Sequence, residues 1–274
     1  MDWIYLGLMG TALVVGVLVR RALPRGPHET RLQRLALFLG AIIGSTFFAK
    51  LPYALSDWQS LVDGSAWLKD GRTITWGLAG GYLGVEVAKL VAGVRHKTGD
   101  AFAAPVAASI AIGRLGCFHA GCCFGGPTDL PWAVRFQDGL PRHPTQLYEF
   151  AFHATAAVLL LLAARRGLFR MQLIKLYLMA YMLWRIATEL LRPEPRVLWG
   201  LTFYQLSSMA FFLVFALLFL IDARKPRAVA AACADTPVAR LHWAGSTRSG
   251  TSFCMRGSTP ARRRKVGNAQ RVRR

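Results

Sequence analysis

Residues 202–221 read TFYQLSSMAFFLVFALLFLI, twenty consecutive positions without a charged side chain. A helix rises about 1.5 Å per residue, so about 20 mostly apolar residues match the hydrocarbon thickness of a bilayer. Working back along the chain, six further runs have the same character, at roughly 3–19, 35–52, 73–94, 101–113, 147–164 and 171–190. The run at 101–113 is short and Ala-rich, and is expected to be a span that continues irregularly into the polar segment after it. Backbone polar groups in lipid have no water to bond, so each span must satisfy them internally as a helix. The expected fold is therefore all-α, a polytopic integral membrane protein with about seven transmembrane helices.

Composition agrees. Hydrophobic residues make up 54% of the 274 and charged residues 18%, against ~45–50% and ~25% in soluble domains. That balance excludes a disordered or coiled-coil chain, and five cysteines are too few for a disulfide scaffold. A formal net charge of +20 would point to nucleic acid in a soluble protein, but with this hydropathy no nucleic-acid partner is expected.

The charge instead sets orientation. Arg20, Arg21, Arg25, Arg31 and Arg34 follow the first run, Arg95 and Lys97 the third, and Arg165, Arg166 and Arg170 the fifth. A basic tail follows the seventh. With seven spans, all these stretches share one side, which the positive-inside rule makes cytoplasmic, leaving the N-terminus outside. The first run reads as a retained span rather than a removable signal peptide, because its basic residues follow the apolar stretch. Residues 1–222 are expected to form the membrane domain and 223–274 a disordered cytoplasmic tail, with Arg262–Lys265 able to rest on anionic lipid.

Polar residues concentrate at the opposite ends of the spans. Gly113-Arg114-Leu115-Gly116-Cys117-Phe118-His119-Ala120-Gly121-Cys122-Cys123-Phe124-Gly125-Gly126 opens a long outer loop. An arginine where an apolar run ends is costly unless it is paired or faces a polar site. His143-Pro144-Thr145-Gln146-Leu147-Tyr148-Glu149 opens the fifth span, with Pro144 expected at the first helical position. Tyr148 is also readable as an interfacial aromatic. Glu149, inside a membrane helix, calls for a cationic partner. Arg185, Glu189 and Arg192 are spaced i, i+4, i+7 on one face of the sixth span, before Pro193. The expectation is a site in which Arg114, Arg185 and Arg192 hold phosphate oxygens while Glu149 and Glu189 orient the guanidinium groups.

The third run carries Gly77, Gly80, Gly81 and Gly84, a small-xxx-small pattern that points to close helix packing. Glu86 and Lys89 in the same run are expected to neutralise each other. Cys117, Cys122 and Cys123 leave several readings open. Cys117 can pair with either neighbour as a disulfide in an oxidising exterior. A thiolate can be favoured by Arg114. With His119 the three also form a zinc donor set, although the spacing departs from paired CxxC sites. Neither a metal nor a cofactor is expected. Cys233 and Cys254 read as reduced, inert thiols.

At these residues the chain resembles the prolipoprotein diacylglyceryl transferase family. The Gly-Arg-x-Gly-x-Phe segment at 113–118 with Phe124-Gly125, the His-Pro-Thr-Gln-Leu-Tyr-Glu segment at 143–149, the Arg-x-x-x-Glu-x-x-Arg pattern at 185–192 and the glycines at 77–84 carry the likeness over about residues 1–222. The resemblance implies an enzyme of the bacterial inner membrane that moves diacylglyceryl from phosphatidylglycerol to the lipobox cysteine of a precursor lipoprotein. Its partners are then that lipid, those precursors and the surrounding membrane. By position it implies functional roles for Arg114, Gly125, Arg185 and Glu189. With the reading of the charged residues above, Arg114, Arg185 and Glu189 are expected to be catalytic, and Gly125, Gln146, Tyr148, Glu149 and Arg192 to bind substrate. Two departures stand out. Cys117, His119 and Cys122 occupy the family's Asn, Asn and Glu positions, and Thr75-Trp76-Gly77-Leu78 stands where the family has a third-span His-Gly-Gly. His119 or His143 is therefore expected to act as the base. A transferase using the same lipid with another acceptor, and a non-catalytic lipid-binding or redox protein, are the alternative readings.

Overall fold

The computed structural model describes residues 2–23, 29–56, 58–67, 71 and 73–234. Its elements are α1 (Trp3–Ala22), α2 (Arg31–Ser56), α3 (Trp58–Val62), α4 (Ile74–Val91), α5 (Gly99–His119), β1 (Val134–Arg135), β2 (Pro141–Arg142), α6 (Thr145–Arg165), α7 (Leu173–Thr188), β3 (Arg196–Leu198), β4 (Leu201–Thr202) and α8 (Phe203–Ala234). Single 3₁₀ turns sit at Ser65–Trp67 and Glu189–Leu191.

Each of the seven apolar runs is a helix. Among the described residues five are long and apolar enough to cross a membrane: α1, α2, α5, α6 and the Phe203–Arg224 part of α8. The count of seven spans is not reached on length and composition, because α7 has 16 residues and α4 carries Glu86 and Lys89 within its 18. Apolar side chains cover the outside of these helices: Leu13, Leu90, Val91, Leu159 and Leu213 are all more than half exposed. In water such a surface would be strongly unfavourable; against lipid tails it is not.

The fourth run differs from the expectation. It is a regular 21-residue helix, α5, that runs through Arg114 to His119. Its Ala103, Ala104, Ala107 and Ala108 join the buried core with Leu160, Leu173, Tyr177 and Leu178. Small side chains let α1, α6 and α7 pack on α5, and that packing, rather than propensity, carries the helix past Gly113 and Gly116.

The α2–α4 contact explains the glycine-rich run. A Cβ at Gly80 or Gly84 would run into the carbonyl oxygens of Gly44 and Gly40, and one at Gly44 into that of Gly80. The two backbones therefore touch, as the small-residue pattern predicts. Lys89 and Glu86 pair at 3.0 Å.

Two short antiparallel pairs flank the last helices. β1 pairs β2 with Val134 opposite Arg142, and β3 pairs β4 with Arg196 opposite Thr202. They bring the chain back to the starts of α6 and α8.

Contacts divide the chain into two units, Met1–Leu220 and Ile221–Arg274. In the second, α8 continues to Ala234. Residues 235–274, with Cys254 and the Arg262–Lys265 cluster of the expected tail, lie outside the described residues.

Candidate active site

The site is assembled by one carboxylate. Glu149, in the second turn of α6, is 1% exposed. Its Oε1 accepts from Arg192 Nη2 at 2.9 Å and from Arg185 Nη1 at 3.3 Å, and its Oε2 pairs with Arg114 Nη2. Arg185 turns its other nitrogen to Glu189 at 2.6 Å, and Glu189 also accepts from the Thr202 hydroxyl at 3.2 Å. Residues from α5, α6, α7 and the segment after α7 thus converge, as the spacing of Arg185, Glu189 and Arg192 predicts. Pro144 caps α6, which begins one residue later than expected.

Three guanidinium groups against two carboxylates leave the cluster with one positive charge in excess. The side chains of Arg114, Arg185 and Arg192 are each less than a tenth exposed. Such an arrangement is costly unless the positive excess is met by an anion. Buried Arg114 Nε and Arg192 Nε have no hydrogen-bond partner among the described residues, so both offer donors to an incoming oxyanion. A planar guanidinium fork matches phosphate oxygens bidentately. Tyr181 and His153 lie with ring centroids 4.9 Å apart, and Arg185 stands over the Tyr204 ring at 5.4 Å.

The outer loop is stitched to this cluster. Gly126 N donates to Leu191 O at 2.7 Å and Gly125 N to His143 O at 2.9 Å. A Cβ on Gly125 would stand 2.7 Å from Leu191 O and 2.8 Å from His143 Cβ, so only glycine fits between the two segments. Thr145 Oγ1 donates to Cys123 O at 2.8 Å, and the fully buried Gln146 donates through Nε2 to Cys122 O at 2.6 Å. Cys123 itself has φ 63°, a left-handed conformation that is rare for a side chain of this kind. Cys122 Sγ and Cys123 Sγ are 3.7 Å apart. The hydrogen bonds of Cys117 and Cys122 hold the Cys123 thiol well below the ordinary thiol range, helped by the nearby Arg114 and Arg192 charges. The same shared bonds push Cys122 upward.

The two histidines expected as bases bond to partners other than the arginines. His119 pairs with Asp2 at the start of α1, at 2.7 Å. His143 faces the Tyr148 hydroxyl at 3.4 Å, and that hydroxyl accepts from Trp132 Nε1 at 2.8 Å. A third histidine has no place among the sequence expectations. His153, four residues after Glu149 on α6, is fully buried, and its Nδ1 is 2.9 Å from the Tyr177 hydroxyl. An imidazole inside a membrane helix, at i+4 from a buried carboxylate, is the signal that marks it.

Known proteins resemble this chain over the same region. A family model described as prolipoprotein diacylglyceryl transferase matches residues 4–221. A phosphatidylglycerol–prolipoprotein diacylglyceryl transferase of Clostridium tetani is 31% identical over 206 residues, 69% of this chain and 79% of its own. The protein of the same name from Bordetella parapertussis is 32% identical over 205 residues, 70% and 76% of the two chains. A Clostridium perfringens protein named phosphatidylglycerol–prolipoprotein diacylglyceryl transferase 2 is 25% identical over 228 residues, 77% and 85%.

Proposed function

The chain belongs to the prolipoprotein diacylglyceryl transferase family, and we propose that it transfers diacylglyceryl from phosphatidylglycerol to the lipobox cysteine thiol of precursor lipoproteins. The observation that carries this reading is the meeting of three buried guanidinium groups on Glu149, with an excess of one positive charge. Phosphatidylglycerol brings one negative charge, on a phosphodiester.

In the reaction the acceptor sulfur attacks the glyceryl carbon that bears the phosphate. A C–S bond forms, the C–O bond breaks, and glycerol phosphate leaves with a second negative charge. Arg114, Arg185 and Arg192 stabilise that developing charge, while Glu149 and Glu189 hold the forks in place beforehand, so little reorganisation is needed as charge develops. Gly125, Gln146 and Tyr148 place the outer loop over the headgroup. His119 or His143 acts as the base that takes the thiol proton. The site sits at the outer face of a bacterial inner membrane, with the N-terminus outside and the C-terminus cytoplasmic. The basic residues after α1, α4 and α6 support that orientation.

The test is expression of the chain in cells depleted of their own transferase, with mass spectrometry of a precursor lipoprotein. The expected result is a diacylglyceryl increment on the lipobox cysteine. An unmodified precursor, with the protein inserted and folded, would overturn the reading.

A further inference from the structure

Cys117, Cys122 and Cys123 form the one cluster of metal-ligating side chains found among the described residues, with all three Sγ atoms within 4.8 Å of one another. We propose that these three thiolates bind a zinc ion whose fourth position takes the acceptor cysteine of the precursor, activating it as a thiolate. The inference rests on the transfer reaction proposed above and supplies its nucleophile. It departs from the expectation of no metal drawn from cysteine spacing alone.

Geometry comes first. Ligands placed tetrahedrally at a Zn–S distance of about 2.3 Å stand about 3.8 Å apart. Cys122 Sγ and Cys123 Sγ are 3.7 Å apart, and Cys117 needs only a small side-chain adjustment to complete the triangle. Consecutive cysteines can share a metal only if the backbone turns sharply between them. Here it does, because Cys123 holds φ 63° while the Thr145 hydroxyl and the buried Gln146 amide grip the carbonyls of Cys123 and Cys122. A left-handed non-glycine residue costs on the order of 1–3 kcal/mol and persists where the surroundings over-determine it, often at functional sites.

Ligand number comes second. His119, the fourth donor that the sequence offers, is not among the side chains whose ligand atoms cluster here. Three protein ligands are the pattern of catalytic zinc, which keeps one position for water or substrate, whereas structural zinc has four. Cys122 and Cys123 are exposed and Cys117 is half-buried, so that fourth position is open to solvent.

Chemistry comes third. The attacking species must be a thiolate, and a thiol bound to zinc loses its proton outright. In the step proposed, the acceptor S–H proton passes to water on coordination, so zinc replaces the histidine base named above. The sulfur then forms its bond to the glyceryl carbon as the C–O bond breaks, and the neutral thioether leaves the metal. Zinc changes no oxidation state. Arg114 lies one helical turn before Cys117 on α5, so the metal-bound sulfur and the guanidinium-held phosphate approach each other from adjacent positions.

The test uses the full chain in detergent micelles containing phosphatidylglycerol. The isolated protein is expected to carry about one zinc ion per chain. Replacement by Co(II) is expected to give a thiolate-to-cobalt charge-transfer band. A lipobox peptide should shift the visible cobalt bands, and the same peptide with serine for cysteine should leave them unchanged. Cys117→Ser, Cys122→Ser and Cys123→Ser should each weaken cobalt binding at least about tenfold, and phosphatidylglycerol-dependent thermal shifts identify which variants remain folded. Metal-free protein with no cobalt band would overturn the inference. So would a band that survives the triple serine variant, a band indifferent to the peptide thiol, a disulfide from Cys117 to either neighbour, or diacylglyceryl found on one of the three cysteines themselves. Transfer activity in rigorously metal-free protein would sink the zinc and leave the transferase reading intact. Zinc and peptide binding without transfer would do the reverse.

Discussion

Glu149 on α6 and Arg192 beyond the end of α7 meet at 2.9 Å across 43 positions of sequence. This contact ties the start of one helix to the segment that follows another, and two more arginines share the same carboxylate. Removing its charge leaves three buried cations with only Glu189 to balance them. Glu149→Gln is therefore expected to destabilise the protein by about 3–5 kcal/mol, the cost of breaking a buried ion pair by losing one partner. Thermal unfolding in detergent measures the loss, and added phosphatidylglycerol should restore part of it.

Arg114→Lys keeps the charge but replaces a planar fork with a point charge. Loss of one preorganised donor aimed at developing charge costs about 10²–10³-fold in rate. The variant should lose activity by that factor while its affinity for phosphatidylglycerol falls much less. Measuring turnover and lipid affinity separately checks the split, and Arg185→Lys should behave alike.

The seven helices and the meeting of Arg114, Glu149, Arg185 and Arg192 were legible because both follow from cost. Apolar runs of that length have few other places to be, and charges inside them must find each other. What stayed hidden depends on partners with no sequence signature. Gly40 and Gly44 stand out only once α2 is known to face α4. The grip of Thr145 and Gln146 on the cysteine loop falls on backbone carbonyls, which every residue carries. The length of α5 was underestimated because glycine and arginine normally end a membrane run, and burial against α6 and α7 overrides that. His153 is the miss that the i+4 rule would have prevented.

Gly84→Leu should force α2 and α4 apart, since its side chain would meet the Gly40 carbonyl. Overpacking of this kind costs about 1–3 kcal/mol or more. Gly7→Leu on α1 is the control, because nothing lies within 4 Å of its Cβ position, and it should change stability by less than about 0.5 kcal/mol. Thermal unfolding of the pair reads the difference.

Gly125 and Gly126 allow a graded comparison. A Cβ at Gly125 would stand 2.7 Å from Leu191 O, whereas one at Gly126 would stand 3.6 Å away. Gly125→Ala must push the loop off the segment that carries Arg192, and its transfer rate should drop at least about tenfold, the scale expected when catalytic groups are misplaced by about 1 Å. Gly126→Ala should keep most of its activity. Equal loss in both variants would mean that the close approach at Gly125 is not what matters.

Cys123 gives the pH test. Its thiol is lowered by hydrogen bonding shared with Cys117 and Cys122 and by the charges of Arg114 and Arg192. A depressed pKa keeps the thiolate populated as pH falls, whereas an ordinary thiol near pKa ~8.5 loses it about tenfold per unit below that value. With a chelator present, alkylation of Cys123 by iodoacetamide should therefore fall less steeply between roughly pH 8 and pH 5 than that of an unperturbed thiol, which slows by about a thousandfold. Cys122, raised by the same shared bonds, should react more slowly than Cys123 throughout. Peptide mass spectrometry after timed labelling resolves the two positions. Arg192→Gln removes one of the stabilising charges, so it should shift the onset of slowing toward higher pH, the direction required if the guanidinium groups and the thiol cluster act as one electrostatic unit.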